Sequence, residues 1–108
     1  MKYSLVVILG LLMVSCTTPK SKGEQTIDNI NSLTEKYIQD TKNATTQDEA
    51  RRLNREYNER VKFEKSKLSE QEIRETERNA TWEQVQHYRQ LQEEKDNTIQ
   101  DARKRLFK

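Results

Sequence analysis

The sequence predicts an all-α protein: a three-helix antiparallel arrangement in which a helical hairpin follows an N-terminal helix, with a long, overhanging C-terminal helix. Three observations carry this expectation. Beyond Pro19 and Gly23 there is no proline or glycine, so nothing that breaks a helix by backbone chemistry alone occurs in the last 85 residues. Charged residues make up 35% of the chain, and Lys plus Arg (20) nearly balance Asp plus Glu (18), with both signs interleaved. Apolar residues are sparse: from Cys16 onward they number 23 of 93, and Leu, Ile, Val and Phe together only 14. That is too few for a thick globular core. A segment this poor in apolar residues but strongly charged would be disordered, whereas a near-neutral balance of opposite charges fits long, narrow helices.

Residues 17–23 read as a flexible leash, with Pro19 and Gly23 opposing regular structure and Lys20 and Lys22 placed to meet anionic headgroups. A first helix is expected over about 24–43, since Ile27, Ile30, Leu33, Tyr37, Ile38 and Ala44 fall on one broad face at 100° per residue. Thr46 followed three residues later by Glu49 has capping-box spacing, so a second helix is expected over about 47–67 with Ala50, Leu53, Tyr57, Val61 and Leu68 on one face. The sharpest local signal is Leu68-Ser69-Glu70-Gln71-Glu72-Ile73. Ser69 is a good N-cap, Glu72 can reach back to its N–H, and Leu68 and Ile73 hold the two positions of a hydrophobic staple. A third helix then runs over about 70–107, with Ile73, Ala80, Tyr88, Leu91, Ile99, Ala102 and Leu106 sharing a face. At ~1.5 Å per residue it would be about 57 Å long, and its last turns would overhang the other two.

The N-terminus differs in kind from the rest. Lys2 precedes an apolar run from Leu5 to Val14, which is shorter than the ~20 residues that span a bilayer and reads as a targeting segment. It ends in Met13-Val14-Ser15-Cys16, which resembles a bacterial lipobox, with Met13 where that family usually has leucine. The resemblance implies that residues 1–15 are a signal peptide cleaved before Cys16, and that Cys16 carries a diacylglycerol and usually an amide-linked acyl chain. Two or three chains on one residue would anchor the protein without a transmembrane helix. Thr17 stands where an aspartate would retain an enteric lipoprotein in the inner membrane, so the resemblance favours the outer membrane.

Little in the body suggests chemistry. Cys16 is the single cysteine and His87 the single histidine, so neither a disulfide framework, a cysteine-histidine metal site nor a nucleophilic triad can be assembled. The carboxylates alternate with Lys and Arg as solvated helix faces do. The chain is therefore read as non-enzymatic, with no cofactor and no metal. Phe63 and Trp82 fall more than 100° from the stripes of their helices. Either they fill the corner where helix one packs between helices two and three, or they are exposed anchors for a protein partner. The basic tip Arg103, Lys104, Arg105 and Lys108 suits the negative end of a helix dipole. Nucleic acid is excluded as its partner by the near-zero net charge of an exported chain. Lys108 after a basic, aromatic stretch also resembles the C-terminal lysine of the murein lipoprotein family. That resemblance implies covalent linkage to peptidoglycan, although a strict heptad seam is absent here. Asn43-Ala44-Thr45 and Asn79-Ala80-Thr81 match the N-glycosylation pattern and are read as chance in a bacterial chain.

The organisation expected from sequence is thus a signal peptide (1–15), an acylated cysteine with its linker (16–23) and a helical domain (24–108). The function expected is a lipid-anchored envelope module that binds or spaces a protein partner, or a tether to the cell wall.

Overall fold

The computed structural model describes residues 20–107; residues 1–15, expected to be a signal peptide, and Cys16 and Lys108 lie outside the described residues. The chain is all-α. Its helices are α1 (Lys22–Asn43), α2 (Gln47–Ser66), α3 (Glu70–Asn79) and α4 (Trp82–Leu106). As expected, α1 packs against both α2 and the long C-terminal helix, and it also meets α3.

Local chemistry sets the helix ends. The Thr46 hydroxyl accepts the Glu49 N–H at 3.1 Å, and Ser69 forms a full capping box with Glu72: the Ser69 hydroxyl accepts the Glu72 N–H at 3.1 Å, and the Glu72 carboxylate accepts the Ser69 N–H at 3.0 Å. The Ser69 N–H also holds the Glu72 carboxyl below the usual carboxylate range.

Two boundaries differ from the sequence reading. The span expected as one helix over 70–107 is two helices, because the chain breaks at Ala80-Thr81. Thr81 and Gln84 form a second full capping box, which starts α4 at Trp82. Alanine is the best helix former, yet Ala80 takes φ −62° and ψ 133°. The α1–α2 connection does the same at Ala44, with φ −64° and ψ 136°. Both breaks are thus built on the same tripeptide, Asn-Ala-Thr, with the asparagine as the last helical residue and the alanine turned into extended backbone.

The second difference is at the start of α1. Residues 21–23 do not belong to a leash: Ser21 caps α1, accepting the Glu24 N–H at 3.2 Å, and Gly23 lies buried in the first turn. The reason is close approach. A Cβ built on Gly23 would stand 1.7 Å from Thr76 Oγ1 and 2.8 Å from Thr76 Cβ, so the missing side chain is what lets α3 lie against α1.

The core follows α1. Tyr37 stacks on Tyr57 of α2 with ring centroids 4.6 Å apart and an interplanar angle of 23°. Thr34 Oγ1 donates to the Ile30 carbonyl at 2.8 Å, which leaves the Tyr57 hydroxyl to donate to Thr34 Oγ1, also at 2.8 Å. Asn29 donates to Glu64 at 3.3 Å, so α1 and α2 are antiparallel. Leu91, Thr98 and Ala102 are the buried residues of α4. Buried threonines are the device that makes so polar a chain pack. Thr26, Thr34 and Thr98 each return the hydroxyl proton to a carbonyl four residues back, at 3.0, 2.8 and 2.7 Å, so each is buried with its hydroxyl satisfied within its own helix.

The expected overhang is absent. Folding ten residues into α3 leaves α4 with 25, against 22 in α1. The two run parallel and end together: Arg105 of α4 donates to the carbonyls of Thr41, Lys42 and Ala44 at the end of α1.

In most exposed helices Gly→Ala stabilises by roughly 0.5–1 kcal/mol. Gly23→Ala should instead lower stability by about 1–3 kcal/mol through overpacking against Thr76, with part of the loss recovered in Gly23→Ala/Thr76→Ala. Urea denaturation of the single and double variants measures both.

Candidate docking surfaces

Because α2, α3 and α4 all lean on α1, the bundle stays open on either side of it. Of two openings of similar size, the more apolar lies at the end where α1 begins. It is a groove of about 490 Å³, lined by Ile27 and Ile30 of α1, Leu68 of the α2–α3 turn, Ile73 of α3, and Val85 and Tyr88 of α4. Burial beside this groove pushes the Tyr88 hydroxyl pKa up. A smaller cleft next to it brings Ser21, Lys22 and Gly23 against Asn79, Ala80 and Gln84, so the start of α4 stands level with the start of α1. Lys22 reaches Glu72 across that cleft at 3.9 Å, an exposed pair worth little energetically.

Phe63 and Trp82 do not fill a corner of the core. Trp82 is 75% exposed and Phe63 63% exposed, with Ile73 at 37% between them in sequence. The break at Ala80-Thr81 places Trp82 in the first turn of a new helix, where its angle relative to Ile73 no longer follows from a continuous 100° count. Phe63 sits on the outward face of α2, with Lys67 Nζ 4.8 Å from its ring centroid. Of the two readings of these rings, packing in the core is excluded by their exposure.

The far end has a second opening of about 500 Å³, bounded by Tyr37, Ala50, Ile99, Arg103, Arg51 and Phe107. The Arg51 guanidinium lies 5.2 Å from the Phe107 ring centroid. Burial raises the Tyr37 hydroxyl pKa, against smaller opposing pulls from the Thr41 side chain and then from Arg103. The basic tip is therefore divided. Arg103 lines this opening and Lys104 is exposed. Arg105 is a tertiary cap: its fork donates to the Thr41 and Lys42 carbonyls in the last turn of α1, at the negative end of the dipole, beside the Ala44 N–H that the Thr41 carbonyl also accepts. Gln47 at the start of α2 returns the favour, donating to the Leu106 carbonyl at 2.9 Å. No sequence pattern within one helix announces either contact.

His87 is exposed. Among the described residues no group of three or more His, Cys, Asp or Glu side chains is placed to hold a metal ion, and no helix is long and apolar enough to cross a membrane. The chain matches no protein-family model, no curated protein and no solved structure.

The two ends make opposite predictions for stability. Arg105→Ala should cost about 1–2 kcal/mol through lost carbonyl partners, whereas Trp82→Ala should change stability by less than ~0.5 kcal/mol. Thermal melts of the two variants compare them directly.

Proposed function

We propose that this chain is a bacterial lipoprotein, acylated at Cys16, whose helical body is a non-enzymatic module that binds or spaces a partner in the cell envelope, at the outer membrane in preference to the inner. The observation that carries the reading is the position of the lipobox cysteine: Cys16 stands only five residues before Ser21, the cap of α1. A bundle with a lipid foot at one end and open apolar surfaces at both ends suits a docking role. The far opening, with Arg51, Arg103 and Phe107, faces away from the foot and offers an aromatic ring beside two cations.

A cell-wall tether through Lys108 is the second reading, and the direction of α4 favours it. Since α1 and α4 run parallel and end together, the last turn of α4 lies at the end of the bundle opposite Ser21. A wall linkage at Lys108 and a lipid at Cys16 would then pull on opposite ends.

Cys16→Ala should abolish incorporation of labelled palmitate and move the protein from the membrane to the soluble fraction. Retention in the membrane without label contradicts the anchor. Muramidase digestion of purified peptidoglycan separates the second reading: it predicts release of muropeptide-linked protein that Lys108→Ala abolishes.

A further inference from the structure

Three of the four large apolar side chains that the bundle leaves exposed, Phe63, Ile73 and Trp82, belong to the end of α2, to α3 and to the start of α4. These are the elements gathered around the start of α1. The fourth, Phe107, is at the other end. We propose that the α1-proximal end is a bilayer-docking face, in which Trp82 and Ile73 enter the headgroup region and the groove between α1, α3 and α4 turns toward lipid. The proposal rests on the acylation of Cys16.

Chain length selects lipid over another occupant. Five residue steps separate Cys16 from Ser21, so the start of α1 can stand no further than about 17 Å from the anchored cysteine even when fully extended. Trp82 follows Ala80 and precedes Gln84, both of which line the cleft against Ser21 and Gly23. The first turn of α4 therefore lies beside the start of α1, and an exposed indole there suits the interfacial layer, the region that tryptophan prefers because its ring is apolar and its N–H still finds a polar partner. A short linker also raises the effective concentration of this face at the membrane to the millimolar range, so contacts too weak to bind a free protein become occupied.

Charge defines the kind of surface. α3 carries Arg74 and Arg78 against Glu70, Glu72, Glu75 and Glu77, and Glu83 follows Trp82, while Lys22 lines the small cleft, Lys65 lines the groove and Lys67 stands beside Phe63. Both signs meet at this end, so it is neither a basic nor an acidic patch. Docking is by apolar insertion, works on zwitterionic lipid and does not need anionic lipid.

Trp82 is the chain's single tryptophan, so its fluorescence reports this face alone. Mature, acylated protein is reconstituted into phosphatidylcholine vesicles, checked by flotation and by the mass of the Cys16 peptide, and compared in vesicles whose acyl chains are brominated near the headgroup. The expected result is emission blue-shifted from that of Cys16→Ala protein in buffer, with a loss of at least twofold in intensity in the brominated vesicles. That quenching should be present without phosphatidylglycerol, and quenching that appears only when phosphatidylglycerol is added overturns docking by apolar insertion. Protein that floats and is acylated, but keeps water-like emission untouched by bromine, overturns the docking face and leaves the anchor standing. A blue shift that bromine does not quench and that grows with protein density assigns the face to a second copy or another protein, and also overturns it. Protein that neither floats nor carries acyl mass overturns the anchor, and this inference with it.

Discussion

One buried helix face holds this protein together. α2, α3 and α4 make most of their inter-helix contacts with α1; α1 buries Ile30, Tyr37 and Ile38, its neighbours bury Tyr57, Leu91 and Ala102, and Tyr37 stacks on Tyr57. A chain with so few apolar residues cannot build facing layers, so it gives one helix a broad stripe and lets the others use it in common. Threonine extends that stripe. At 26 and 34 the hydroxyl is satisfied within α1, so burial costs no lost hydrogen bond. Thr34 shows how tightly the arrangement is determined: its proton goes back along its own helix, and its lone pair receives the phenol of Tyr57.

Helix termini do the rest of the work of specifying the fold. Serine or threonine caps begin all four helices, and the Arg105 and Gln47 contacts close the far end. Arg105 is a better choice than lysine at this point because a planar fork can reach three carbonyls at once. These contacts fix where each helix stops, which in so thin a bundle is also what fixes how the helices pair.

Much of this was legible in the sequence, and the misses have definite causes. All-α class, the α1 and α2 stripes, and the caps at Thr46 and Ser69 follow from local patterns that need no partner. The Thr81–Gln84 cap obeys the same grammar as Ser69–Glu72. It was hidden because Ala80 is both a strong helix former and a member of the expected stripe, so propensity and periodicity agreed on the wrong answer. The repeated Asn-Ala-Thr was the signal that could have shown it. Gly23 reads locally as a breaker, and only the approach of Thr76 reveals it as a packing residue. Trp82 and Phe63 lie off their stripes in the sequence, but deciding between a corner of the core and the surface required the position of α3. Arg105 belongs to a basic run whose tertiary role depends on the parallel course of α1 and α4. The lipobox resemblance at Cys16 falls before the described residues, and it gains meaning from the fold by setting which end of the bundle would be held near lipid.

The central claim is that α1 is the common spine, and native-state hydrogen exchange tests it residue by residue. In so unequal a bundle, local openings should be cheapest where burial is least. The amides of α1 from Ile30 to Thr41 should be the slowest to exchange, with the Tyr57 turn of α2 and the segment Leu91–Ala102 of α4 opening in the same global event. α3, which buries no residue fully, should exchange earlier without releasing the others. If α2 or α4 keeps its protection after α1 has exchanged, the helices do not depend on a shared spine and this account of the fold is wrong.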